Sequence, residues 1–148
     1  MQILPALGLL AFAYIIGSVP FGLLIVKLTT GQDVRNVESG RTGGTNVMRA
    51  AGFWAGLFTA LLDLFKAAAM VWLAKAIFPL VVTAQNAWLH ILAPLAVIVG
   101  HNHSIFLMKR DETGRLRLRG GAGGASCVGG SFGLWAPSFL VIVPLAAA

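Results

Sequence analysis

Long apolar stretches separated by short polar loops set the pattern of this chain. Ile3 to Val26 is uncharged over 24 residues. As a helix it exceeds the ~30 Å hydrocarbon core of a bilayer. A secretory leader fits it less well, because no basic segment precedes it and the apolar run is too long. Within it, Gly17-Ser18-Val19-Pro20-Phe21-Gly22 predicts a kinked, closely packed helix end. Such a break is tolerated in a membrane where neighbouring helices re-satisfy the backbone. The pattern predicts spans over about 3–27, 53–78, 87–108 and 127–147. The expected fold is an all-α integral membrane protein, with about four transmembrane helices in one domain covering residues 1–148.

Composition agrees. Of 148 residues 57% are apolar and 11% charged, with mean hydropathy +0.83. A soluble domain carries about a quarter charged residues. The net charge of +6 is concentrated. Lys27, Arg35, Arg41 and Arg49 lie around the first polar loop, and Lys109, Arg110, Arg115, Arg117 and Arg119 in the second. The connector Pro79 to Asn86 carries no charge. By the positive-inside rule, both basic loops are expected in the cytoplasm, with the N-terminus and the connector outside. No basic recognition fold accompanies the charge, so nucleic acid is not an expected partner. One cysteine, Cys127, excludes an intrachain disulfide framework and is read as a small apolar filler. The abrupt end at Ala146-Ala147-Ala148 suggests a truncated or naturally short form.

The candidate chemistry lies in the loops. Glu38-Ser39-Gly40-Arg41-Thr42-Gly43-Gly44-Thr45-Asn46 is polar and glycine-studded between apolar runs. Gly40, Gly43 and Gly44 permit positive φ, and Ser39, Thr42, Thr45 and Asn46 can donate to anion oxygens. Thr45 or Asn46 is a candidate cap for the helix that Arg49 begins, and a cap and an anion site are compatible. The second loop ends Arg119-Gly120-Gly121-Ala122-Gly123-Gly124. It can cradle phosphate through backbone N–H groups, but it has neither a Walker lysine nor the spacing of a dinucleotide fingerprint. His101 and His103, two apart, do not share a helix face, so no metal pair is expected. His101 is either a donor to an anion, a proton carrier or a structural hydrogen-bonder. Asp63 and Lys66, three apart, share one helical face. They either pair to hold helices together or line a polar cavity.

Together these residues resemble the bacterial membrane glycerol-3-phosphate acyltransferases that use acyl phosphate as donor. The likeness is carried by Gly17-Ser18-Val19-Pro20-Phe21-Gly22, Lys27, Asp33-Val34-Arg35, Ser39-Gly40, Gly43, Thr45-Asn46 and Arg49, by Asp63 and Lys66, and by Gly100-His101 with Gly120-Gly121-Ala122-Gly123. The chain departs from the family pattern at Glu38, Arg41 and Ala122, where glycine, asparagine and lysine are usual. It departs again in a hydrophilic insertion around Arg110 to Arg117. The resemblance implies acyl transfer from acyl phosphate to the 1-hydroxyl of glycerol 3-phosphate, giving lysophosphatidic acid for phospholipid biosynthesis. It implies a multi-pass protein of the bacterial plasma membrane, with membrane lipid as a partner and no cofactor. It assigns Ser39, Arg49 and His101 as catalytic. Gly40, Gly43, Thr45, Asn46, Arg119, Gly120, Gly121 and Gly123 would bind substrate. Ser39 and Arg49, with Thr45 and Asn46, would hold the acyl-phosphate head. His101, Arg119 and the Gly120–Gly124 turn would serve glycerol phosphate. Two other readings stay open: a non-catalytic relative that keeps an anion site, and a small transporter subunit with Asp63, Lys66 and His101 along a polar path.

Overall fold

The computed structural model describes residues 3–79, 86–110 and 113–147. The first apolar stretch forms α1 (Ile3–Ser18) and α2 (Phe21–Thr30). The expected kink is a full interruption: Pro20 has no N–H to give, and Phe21 N turns to Val19 O at 3.1 Å. A short 3-10 turn, Val34–Asn36, follows, then α3 (Gly44–Ala51) and α4 (Phe53–Ile77). Gly52, at φ 89°, separates α3 from α4. Arg49 therefore sits in the last turn of a short helix of its own and does not begin the long one.

Next come α5 (Ala87–Asn102), a 3-10 turn (Ile105–Leu107), an antiparallel hairpin of β1 (Lys109–Arg110) and β2 (Leu116–Arg117), α6 (Gly124–Leu134) and α7 (Ser138–Ala147). The fourth apolar stretch is thus two helices parted at Trp135–Pro137 instead of one rod over 127–147. Pro137 and the extended Trp135 end the first of them. Among the described residues, Ile3–Thr30, Phe53–Ile77 and Ala87–Leu107 are long and apolar enough to cross a membrane. Most of the connector expected over residues 79–86 lies outside the described residues.

Helix association in lipid depends on close packing, since lipid tails are as apolar as leucine. The helices here meet through small residues. A Cβ on Gly17 of α1 would collide with Val97 O of α5, and one on Gly100 of α5 with Tyr14 O of α1. On α6, Gly129 leaves the same kind of room for Leu64 O of α4. Ala13, Ala67, Ala74, Leu89, Ala93 and Val97 fill the core between α1, α4 and α5. Leu4, Leu7, Trp54, Phe58, Trp72 and Ile91 point outward, a surface suited to acyl chains. Cys127, expected as a small apolar filler near a helix start, lies in the first turn of α6 and is exposed.

Polar side chains close the helix ends. Lys75 Nζ donates to Gly133 O at 2.8 Å and Leu134 O at 2.9 Å at the end of α6. His90 Nε2 lies 2.8 Å from Phe78 O, at the end of α4. Both answer carbonyls that a helix terminus leaves without intrahelical partners.

Candidate active site

The first loop is held from within. Asp33 Oδ1 accepts from Arg35 N and from Arg35 Nε, each at 2.9 Å, and so caps the Val34–Asn36 turn. The Arg35 hydrogen bonds draw the Asp33 carboxyl down to a pKa of about 2, and the carboxylate raises the Arg35 guanidinium in return. Val34 buries against Val26 and Val47, fixing the turn to α2 and α3. Asn46 Nδ2 donates to Val34 O, Val37 O and Arg41 O at 2.9–3.1 Å. The Asn46 amide nitrogen therefore braces the loop. Neither Thr45 nor Asn46 caps α3; Gly43 occupies that position in an extended conformation. Of the three glycines expected to use positive φ, Gly40 does, at 63°, while Gly43 has φ −81° and Gly44 is helical.

The second loop folds onto His101. Gly121 N donates to His101 O at 3.0 Å. A Cβ at Gly121 would collide with His101 Nε2, and one at Gly120 with His101 O. These two glycines, expected to cradle phosphate, make room for the histidine and are not among the residues lining the cavity between the loops. Gly123, in the left-handed region at φ 86°, precedes the first turn of α6. Two arginines clasp the loops together. Arg41 Nη1 donates to Gly121 O at 3.1 Å, and Arg119 Nη2 donates to Ser39 O at 3.0 Å.

Between the loops lies a cavity of about 330 Å³. Ser39, Gly43, Thr45, Asn46, Arg49, His101 and Gly123 line it, all expected from the sequence. Gly40 and Arg119 line a neighbouring cavity instead. Arg41, Asp63 and Ala122 line the first cavity as well. The N-terminal turns of α3 and α6 open onto it, bringing backbone N–H groups and the positive ends of two helix dipoles. Arg41 and Arg49 add guanidinium groups, the side chains best matched to phosphate oxygens.

The cavity floor is a buried ionic cluster. Lys66 Nζ lies 2.8 Å from Asp63 Oδ1 and 3.0 Å from His101 Nδ1. It also donates to Gly17 O at 3.0 Å and sits 5.5 Å from the centre of the Phe21 ring. The helix break at Pro20 is what leaves such carbonyls open to the ammonium group. Asp63 Oδ1 lies 3.4 Å from His101 Nδ1, so both members of the pair face that ring nitrogen. Ser126 Oγ donates to Asp63 O at 3.1 Å, tying α6 to the same point. Sequence spacing pairs Asp63 with Lys66, but the histidine lies 35 residues beyond the lysine and no local signal joins them.

The family profile for glycerol-3-phosphate acyltransferase matches residues 7–148. The chain belongs to the glycerol-3-phosphate acyltransferase family. A glycerol-3-phosphate acyltransferase of Thermus thermophilus is 37% identical over 124 residues, covering 84% of this chain and 54% of its own length. The chain thus spans about half the length of the curated acyltransferases it matches. The crystal structure of PlsY, an integral membrane glycerol 3-phosphate acyltransferase, in its glycerol 3-phosphate form superposes with a TM-score of 0.77. It is 34% identical, and the match covers 93% of this chain and 61% of that one. The lysophosphatidic acid form of PlsY gives 0.73 at 31% identity. Family membership and the hydropathy of the helices make the chain a multi-pass integral membrane protein.

Proposed function

We propose that the chain carries the substrate cavity of an enzyme that transfers a fatty acyl group from acyl phosphate to the 1-hydroxyl of glycerol 3-phosphate. The observation that carries the reading is the convergence of Arg41, Arg49, two helix N-termini and the His101–Lys66–Asp63 cluster on one cavity. Both substrates carry phosphate, and an N–H-rich, cationic cavity suits them. The PlsY structures hold glycerol 3-phosphate or lysophosphatidic acid, the acceptor and product of this reaction.

In the proposed reaction the acceptor hydroxyl oxygen attacks the acyl carbonyl carbon. An ester bond forms, the bond from that carbon to the phosphate oxygen breaks, and the phosphate leaves with the electron pair. The hydroxyl proton passes to the departing phosphate. Acceptor and donor react directly, and the protein supplies positioning and charge stabilisation. Arg49 and Ser39 hold the acyl-phosphate head. His101 donates from Nε2 to an anionic oxygen, while Lys66 and Asp63 face its Nδ1. The loops lie on the cytoplasmic side, with N-terminus outside, and the exposed apolar faces of α4 and α5 leave the acyl chain in the membrane.

The test is an assay of purified protein with acyl phosphate and labelled glycerol 3-phosphate. Arg49→Ala should lower the rate by about one to two decades, the loss of one charged hydrogen-bonding partner. A folded Arg49→Ala protein with undiminished turnover would remove Arg49 from the mechanism. A folded wild-type chain that binds glycerol 3-phosphate without turning it over would favour the non-catalytic reading.

A further inference from the structure

A second cavity, of about 260 Å³, opens on the other side of the first loop. Five basic side chains line it: Arg35, Lys109, Arg110, Arg117 and Arg119. No acidic residue is among its described lining residues. Asp33 neutralises Arg35 from outside it. Arg110 Nη1 donates to Gly114 O, and Arg119 Nη2 to Ser39 O, so those two side chains are anchored at the rim. Gathering cations around one concavity raises their mutual repulsion, and a bound anion relieves it.

The hairpin that brings these cations has a second property. Arg115-Leu116-Arg117-Leu118-Arg119 alternates basic and apolar residues, and Leu116 and Arg117, which form β2, point to opposite faces. Arg117 and Arg119 line the cavity. Leu116, 58% exposed, and Leu118, 39% exposed, alternate with them. Phe106 and Met108, just before the hairpin, are more than half exposed. Basic groups interleaved with exposed apolar ones are the composition of a segment that rests in a lipid headgroup layer.

We propose that this cavity is a second anion site, separate from the acyl-transfer cavity, that binds the phosphate group of an anionic phospholipid or of a soluble phosphate. The exposed leucines favour the lipid as carrier, since they give its acyl region an apolar surface beside the phosphate.

Binding of a short-chain anionic phospholipid, of the matching zwitterionic phospholipid and of inorganic phosphate to the intact protein in neutral detergent tests it. Hydrogen exchange of the hairpin amides reports on the wild-type chain without any substitution. The anionic lipid should protect the hairpin, and Lys109→Ala with Arg117→Ala should weaken its binding about tenfold or more. Arg49→Ala, in the first cavity, should leave the protection of the hairpin amides unchanged. Protection by inorganic phosphate as well would support the site with a soluble carrier, and protection by the anionic lipid alone would support it with lipid as carrier. Failure of both anions to protect the wild-type hairpin overturns the proposal. So does equal protection of the hairpin by the zwitterionic lipid, or a loss of hairpin protection in Arg49→Ala that the hairpin variant does not share.

Discussion

His101 shows how much one side chain here depends on its neighbours. Nδ1 faces Lys66 and Asp63, and a Cβ on Gly121 would collide with Nε2. Gly121→Ala should push the ring aside. Misplacement of a substrate-binding group by about 1 Å costs roughly 10²-fold in rate. The expected result is a large fall in kcat/KM, with helical content by circular dichroism unchanged. The Asp63–Lys66 pair makes a different prediction. Asp63→Leu leaves the ammonium of Lys66 buried without a counter-ion and should destabilise by about 3–5 kcal/mol. Adding Lys66→Met to it should restore much of that loss, as read by thermal unfolding in detergent. A double variant less stable than Asp63→Leu would show that Lys66 is held chiefly by carbonyls such as Gly17 O.

Two elements behave against local propensity. Pro→Ala within a helix is ordinarily stabilising, by about 3 kcal/mol. At Pro20 the opposite is expected, because continuing α1 into α2 would return the Gly17 carbonyl to an intrahelical bond and take it from Lys66. A lower melting temperature for Pro20→Ala is the outcome to look for. The Val34–Asn36 turn responds to pH. The folded Asp33 carboxyl titrates at about 2, below its ordinary 3.8, so the folded loop favours the ionised form. Its contribution is present in full above the ordinary value and is lost as pH falls through about 2. Hydrogen exchange at Arg35 N, corrected for the intrinsic rate, should show protection fading over that interval. Asp33→Asn should flatten the profile.

At the scale of the molecule, two loops 80 residues apart form one site because each sends an arginine to a carbonyl of the other. If Arg41 and Arg119 act as one clasp, their losses are coupled. Arg41→Ala and Arg119→Ala together should raise KM for glycerol 3-phosphate by less than the product of the single effects. Couplings between such neighbours run to about 0.5–3 kcal/mol. Independent, multiplicative effects would mean that the two arginines do not act as one clasp.

Three stretches long and apolar enough to cross a membrane, the two basic loops and the candidacy of Ser39, Arg49 and His101, which line one cavity, were legible in the sequence. Hydropathy, glycine and charge are local properties that survive without coordinates. The sequence also marked the Pro20 break, because proline removes an N–H wherever it stands. What it could not convey was facing. Gly40 and Arg119 read as members of the first site and stand in the second cavity, while Gly120 and Gly121 back onto His101. Asn46 reads as an anion ligand, and its amide nitrogen braces three carbonyls of the first loop. The fourth apolar stretch reads as one span and folds as two helices. Composition by itself determined that this chain enters a membrane and gathers its cations in two polar loops. Only the tertiary structure decided which cavity each cation serves, because that depends on contacts between residues far apart in sequence, and no local pattern encodes them.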